Sequence, residues 1–334
     1  MRLEKHNADE MTPLERIYAY EHGLSYDRIP SVPFIGNVRC KVGGMTPEEY
    51  WDSAENMVKA ELMSYQRFGF DRLGIGPNTR GISDALADQV PDKKQGSLVL
   101  DDYSKLEYLE PVNARNDLVI QRFLQAAEML QESAGEIVPV EISIGGPLTI
   151  ASFLREIELL LRDCRRNGDK VQKLLRIIVD SQKSCIDAFA QYGVGIAMAD
   201  PVANPALIGP KLYEKFVFPY TKELTDYALE RTGKKVSLHM CGATYSIWKY
   251  IEQYQLNEIS LDNIVDLDRA ARELGKKSTN CRQCRSCTEH AEWYKKKRFF
   301  ADVQKMHRTW KVLLRRDFIL RPVVIFRTEL HLKK

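Results

Sequence analysis

The sequence predicts an α/β fold of parallel strands joined by crossover helices, on the scale of a (β/α)8 TIM barrel. Three observations carry this reading. Short apolar, β-branched runs alternate with long helical patterns over most of the chain. The 334 residues suit one large barrel or two ordinary domains. Hydrophobic residues make up 44%, enough for a sizeable core, and charged residues 28%, as in an ordinary soluble chain.

The elements follow in order. Thr12-Pro13-Leu14-Glu15 and Thr46-Pro47-Glu48-Glu49 each put Thr at a helix N-cap, Pro at the first helical position and Glu at the third. The Thr oxygen takes one orphan amide and the Glu reaches back to another. Candidate strands are SVPFIG (31–36), RLGIG (72–76), VPVEISI (138–144), GIAMAD (195–200), KVSLHM (235–240) and EISL (258–261). Helices are expected over about 48–67, 115–133, 168–191, 210–231, 244–254 and 264–274. Six strands thus precede Lys277, and a closed barrel needs eight. The long polar segment 77–114 is expected to cross the barrel mouth. There is no internal repeat and no low-complexity linker.

Composition excludes several classes. The net charge of +3 is small and spread along the chain, which argues against nucleic acid as a partner. MRLEKHNADEMTPLERI has no apolar signal-peptide region, and no apolar run approaches a membrane helix. The seven cysteines are an odd set, and four of them, Cys40, Cys164, Cys185 and Cys241, lack disulfide-like spacing, so a reducing cytoplasm is expected.

Three segments carry chemistry. In SLHMCGAT (237–244), His239 and Cys241 stand two apart at the end of a strand, so their side chains point the same way. Imidazole with thiolate suits Zn²⁺ at a barrel mouth. The plain alternative is a buried His beside a packing Cys. In the second segment, Asp200 follows an apolar strand and precedes Pro201, which places a carboxylate at the mouth or simply starts a turn. In the third, Gly145-Gly146-Pro147 ends a strand and opens a helix. The bare glycines permit close backbone approach to a ligand, and the helix N-terminus favours anions. A tight strand-to-helix turn explains the same residues. Asn78, in GPNTRGISDAL (76–86), joins Gly145 and Gly146 as a substrate-binding candidate.

Taken together and in order, PLERIYAYEHGLSYDRIPSVPFIG (13–36), SIGGPLTIASFL (143–154), MADPVANPALIGPKLYEKFVFPY (198–220) and SLHMCGATYSIWKYI (237–251) resemble the uroporphyrinogen decarboxylase superfamily over roughly residues 10–277. The His-x-Cys element resembles its methylcobamide:coenzyme M methyltransferase branch. That resemblance implies a (β/α)8 barrel and a zinc held by His239, Cys241 and a distant second Cys. It implies that a small thiol acceptor binds the zinc as thiolate and attacks the methyl group of a methyl-corrinoid, free or on a corrinoid protein. Asp262, in ISLDN (259–263), is a candidate for the carboxylate that some members place near the zinc, and Asp200 is its catalytic companion. Tetrapyrrole decarboxylation is the rival reading. Decarboxylases carry an Arg-rich N-terminal stretch, whereas PFIGNVRCKVGG (33–44) offers only Arg39 and Lys41.

After Lys277 the character changes. Residues 278–334 lack periodicity and hold Cys281, Cys284, Cys287 and His290 at C-x-x-C-x-x-C-x-x-H spacing. One permitted set of codons for Ser278–Lys295, read one base out of frame, translates as VPIVGNVDPVQNMLNGTK. A permitted set for Arg315–Lys334, read two bases out, translates as AGLYPSTGCDIPYGTPLEK. The two peptides supply a seventh and an eighth strand and the missing Cys. The expectation is therefore a barrel over 1–277 and an aberrant, out-of-frame tail over 278–334, with zinc binding impaired in the chain as written. The alternative is a genuine Cys-rich site in a non-enzymatic metal-binding protein.

Overall fold

The computed structural model describes residues 2–33, 35–91, 99–262, 264–274 and 325–326. Five strands, β1 (Leu73–Asn78), β2 (Val140–Gly145), β3 (Gly195–Ala199), β4 (Val236–Met240) and β5 (Leu256–Leu261), lie side by side in chain order. Every pair among them is parallel. A two-residue strand, β6 (Ile325–Phe326), pairs antiparallel with β5. Parallel neighbours in sequence order, each return made by helices, are consecutive staves of a (β/α) barrel. The strands are buried almost throughout, as sheets covered on both faces must be.

One expected strand does not form. None of the described residues of 31–36 is in a strand. The segment is anchored at one point instead. Asp71 N–H donates to the Ser31 carbonyl at 2.8 Å, and Ser31 N–H donates to the Asp71 carboxylate at 2.5 Å. Pro33 has no amide proton to extend a ladder. Among the described residues of the segment only Ile35 is buried, and it is buried without strand pairing.

Both capping boxes form as expected, at Pro13–Glu21 and Pro47–Asp52. The single helix expected over 48–67 is two. Ser53 adopts extended backbone (φ −142°, ψ 152°), ends the first and caps Ala54–Phe68 by accepting the Asn56 amide at 3.1 Å. The helix expected over 210–231 also divides, at Val217, into Pro205–Phe216 and Phe218–Thr232. Helix Leu118–Ala134 and the 23-residue helix Gly168–Ala190 match expectation. The latter buries Val171, Leu174, Leu175, Ile178 and Cys185, a single apolar face.

Segment 99–114 packs on the helices that follow β2. Leu100 N–H donates to Leu154 O at 2.9 Å, and Arg155 donates to the Leu100 and Asp101 carbonyls at 2.7 and 2.6 Å. Ser181 and Ser184, three apart on one helix, accept the amides of Val112 and Ala114 at 2.9 and 3.0 Å.

The N-terminal ends of the strands form a charged floor. Arg72, just before β1, bridges Glu141 on β2 at 3.3 Å and Glu258 on β5 at 2.6 Å. Ser237 on β4 donates to Glu141 at 2.7 Å. Beside it, buried Arg16 pairs with Asp71 and with Asp27 at 2.6 Å, and Arg28 pairs with Asp71 at 2.6 Å and Asp9 at 2.9 Å. This second network ties the N-terminal segment to the root of β1. The tail expectations, including the cluster of Cys281, Cys284, Cys287 and His290, lie outside the described residues.

Candidate metal and methyl-transfer site

The C-terminal ends of β3, β4 and β5 bring four of the candidate residues together. The pleat turns His239 and Cys241 to one side, as the two-residue spacing requires, and His239 Nε2 lies 3.3 Å from Cys241 Sγ. Tetrahedral zinc with ordinary Zn–N and Zn–S bonds separates its N and S donors by about 3.6 Å. The observed pair therefore fits one edge of such a site. Among the described residues no third His, Cys, Asp or Glu completes a metal-holding group with them.

Burial sets the protonation of the pair. Desolvation holds the His239 imidazolium below its ordinary range, so the ring is neutral and available as a ligand. Burial, then the nearby Asp262 charge, pushes the Cys241 thiol up. Without a cation beside it the thiol keeps its proton at neutral pH, and a bound metal is what would remove it.

The turn after Cys241 is fixed by two contacts. Gly242 takes φ +78°, and a Cβ there would overlap the Asn204 side-chain amide. Its amide donates to Asp262 Oδ2 at 2.9 Å. Asp262, expected as a catalytic carboxylate, thus holds the backbone that carries Cys241.

Asp200 stands at the end of β3, one strand over, and its amide donates to the His239 carbonyl at 3.2 Å. Its carboxyl is 1% exposed. Oδ1 accepts the Thr149 amide at 3.0 Å and the Thr149 hydroxyl at 2.6 Å, while Oδ2 meets no hydrogen-bond partner among the described residues. Burial raises its pKa to about 6 against the pull of the Thr149 bonds. Thr149 is the third residue of helix Pro147–Leu154, whose N-cap, Gly146, makes no side-chain cap bond. Asp200 supplies that cap from another strand. The anion favoured by this helix N-terminus is the chain's own carboxylate.

The glycines have a matching reason. A Cβ on Gly146 would overlap the Asp200 carboxyl group, and one on Gly145 would press on Thr79 and Ile150. Protein atoms fill the space at both. Asn78 ends β1 in the left-handed region (φ +51°), with its side-chain amide donating to Gly76 O at 3.0 Å, and it is exposed. It sits at the same end of the sheet, three strands from His239.

Two polar partners escaped sequence reasoning. Ser260 Oγ lies 2.9 Å from His239 Nδ1, and Thr149 holds Asp200. A signal for the first existed: Ser260 and Asp262 repeat on β5 the two-residue spacing of His239 and Cys241 on β4.

Comparison with known proteins points to the same family and fold. The family model described as uroporphyrinogen decarboxylase (URO-D) matches residues 12–281. The methylcobamide:CoM methyltransferase MtbA of Methanosarcina mazei is 28% identical over 271 residues, 78% of this chain and 79% of that protein. The methylcobamide:CoM methyltransferase MtaA of Methanosarcina barkeri (strain Fusaro) is 26% identical over 250 residues, 71% of this chain and 72% of its own length. Among solved structures, a methyltransferase from Methanosarcina mazei superposes with TM-score 0.63 at 21% identity, covering 80% of this chain and 81% of that one. At that identity the superposition speaks for the fold.

Proposed function

The chain belongs to the uroporphyrinogen decarboxylase family, and from that premise we propose that its site is built to move a methyl group from a methyl-corrinoid to a small thiol with the help of zinc. The observation that carries the proposal is the His239–Cys241 pair, 3.3 Å apart at the mouth end of β4. The similarity to methylcobamide:CoM methyltransferases supports the same reading.

His239 and Cys241 would hold the metal. When bound, zinc lowers the pKa of a thiol so that its sulfur is a nucleophile near neutral pH. The acceptor sulfur forms a bond to the methyl carbon, the carbon–cobalt bond breaks, and its electron pair stays with the corrinoid. The chain's own groups position the donors. Asp262 fixes the Cys241 turn through Gly242, and Asp200 secures the β3 end beside His239. Tetrapyrrole decarboxylation finds less support. Arg39, the cation nearest to a carboxylate reader in sequence, is bound to Glu61 and to Gly74 O.

The tail belongs to the same proposal. The family match stops at residue 281, close to Lys277, where the sequence changes character. A shifted reading frame from there would remove the third zinc ligand and leave this polypeptide weak in zinc binding and turnover.

The test is methyl transfer from methylcobalamin to a simple thiol by the zinc-supplemented chain, with metal content measured after dialysis. Bound zinc that depends on His239 and Cys241 is the expected result, with slow demethylation. Metal bound undiminished after both are replaced would overturn the assignment, and coproporphyrinogen formation from uroporphyrinogen would replace it with decarboxylation.

A further inference from the structure

We propose that Ser260 is a positioning residue that fixes the tautomer and the plane of the His239 ring, so that Nε2 carries the lone pair aimed beside Cys241. The inference rests on the zinc reading above and names the group that orients its nitrogen donor.

The geometry is set by backbone register. His239 and Ser260 are direct cross-strand partners in the β4–β5 ladder. Such partners point to the same face, so the hydroxyl is delivered to the ring by pairing and not by a flexible loop. The Ser260 hydroxyl lies 2.9 Å from Nδ1 and Cys241 Sγ lies 3.3 Å from Nε2. The ring is therefore held at both nitrogens, one on each strand.

A neutral imidazole has one N–H and one lone pair. If Nδ1 donates to Ser260, the lone pair is at Nε2, on the side of the thiol. The opposite tautomer would point an N–H toward Cys241 and leave no nitrogen lone pair there for a metal. Ser260 is itself 6% exposed, so water does not readily replace its hydroxyl. Metal-binding histidines generally rely on such a partner at the far nitrogen, and losing it weakens metal affinity about 10- to 100-fold.

The experiment compares the full chain with Ser260→Ala, which removes the hydroxyl, and Ser260→Thr, which keeps it. ¹⁵N spectra of the metal-free proteins, with the ring signal assigned through His239→Gln, report the tautomer directly. The parent and Ser260→Thr are expected to show Nδ1–H, and Ser260→Ala a mixture of tautomers. Cobalt(II) titration, followed by thiolate-to-cobalt charge transfer, is expected to show about tenfold weaker binding for Ser260→Ala and recovery in Ser260→Thr. An Nε2–H ring in the parent, or a Ser260→Ala ring unchanged from it, would overturn the proposal. A parent chain without the charge-transfer band would instead defeat the zinc reading, while the ring spectra still decide what Ser260 does. Thermal unfolding of each variant identifies one that has failed to fold, in which case Ser260→Thr alone carries the ring comparison.

Discussion

The two ends of the strands solve the problem of buried polar groups differently. At the floor, buried carboxylates are met by guanidinium groups: Arg72 serves Glu141 and Glu258, and Arg16 serves Asp27 and Asp71. At the mouth, neutral donors do the holding. Asp200 accepts the Thr149 backbone amide and hydroxyl and makes no ion pair among the described residues. His239 and Cys241 face each other. Internal neutralisation makes the floor a structural device. At the mouth, under the proposed function, an added cation would bring positive charge beside the His239–Cys241 pair.

The largest effect should come from breaking the floor. Arg72→Met would leave Glu141 and Glu258 buried without their shared cation, and removing one partner of a buried pair costs about 3–5 kcal/mol. A fall of that size in urea stability is expected. His239→Gln should change stability by less than about 1 kcal/mol, because its ring balances no charge. Equal losses for the two would erase the distinction between the ends.

What could be read in the sequence divides along a similar line. The capping boxes at Thr12 and Thr46 are local chemistry and appear as written. β1 to β5 were legible because doubly covered parallel strands are near-continuous apolar runs. The run at 31–36 has the same composition, but pairing depends on what lies alongside, and Asp71 takes Ser31 instead. The helix breaks at Ser53, which caps the next helix with its own side chain, and at Val217, just ahead of Phe218-Pro219, are local cap and proline features that a 3.6-residue periodicity alone does not record. At the site, His239 and Cys241 were visible through spacing along one strand. Ser260 and Thr149 were harder to read, because Ser260 meets His239 across two strands and Thr149, on a helix, meets Asp200 at the end of β3, and both encounters are tertiary.

The next effect sharpens the comparison through pH. Burial raises the folded-state pKa of Asp200 from 3.8 to about 6. For an acid this means that the folded state holds the proton more tightly than the unfolded one. Stability is then greatest below about pH 4 and falls as pH rises toward 6, by about 3 kcal/mol at most, and levels off above. Asn at this position still accepts from Thr149 and never ionises. Relative to the parent, Asp200→Asn should gain stability steadily between pH 4 and 6.5 in urea titrations. A constant offset across that range would mean that Asp200 is ionised throughout, held by the helix N-terminus alone.

A smaller change is expected from the tail. A chain whose last two units are read in the restored frame, with its Cys in the GCDIP context, should hold zinc about 10- to 100-fold more tightly, roughly 1.4–2.7 kcal/mol. Cys241→Ala in that restored chain should reverse the gain. Dialysis followed by metal analysis of the three proteins measures both steps. Equal retention by the written and restored forms would show that the mouth donors already suffice.

The smallest effect separates two roles for Asp262. Its Oδ2 accepts the Gly242 amide at 2.9 Å, and Gly242 is buried in a left-handed turn that carries Cys241. If Asp262 matters as a hydrogen-bond acceptor, Asn can replace it, since its carbonyl oxygen reaches the same amide. Asp262→Asn should then lie within about 0.5 kcal/mol of the parent in stability, whereas Asp262→Ala should cost about 1 kcal/mol by leaving a buried amide without its acceptor. Zinc affinity tests the charge separately. A carboxylate beside a cation strengthens binding even without touching it, so Asp262→Asn should weaken zinc binding a few-fold while the fold is unchanged. Loss of stability in Asp262→Asn as large as in Asp262→Ala would mean that the negative charge itself holds the turn. The mouth would then resemble the floor in relying on charge, and the contrast between the two ends would narrow to the His239–Cys241 pair.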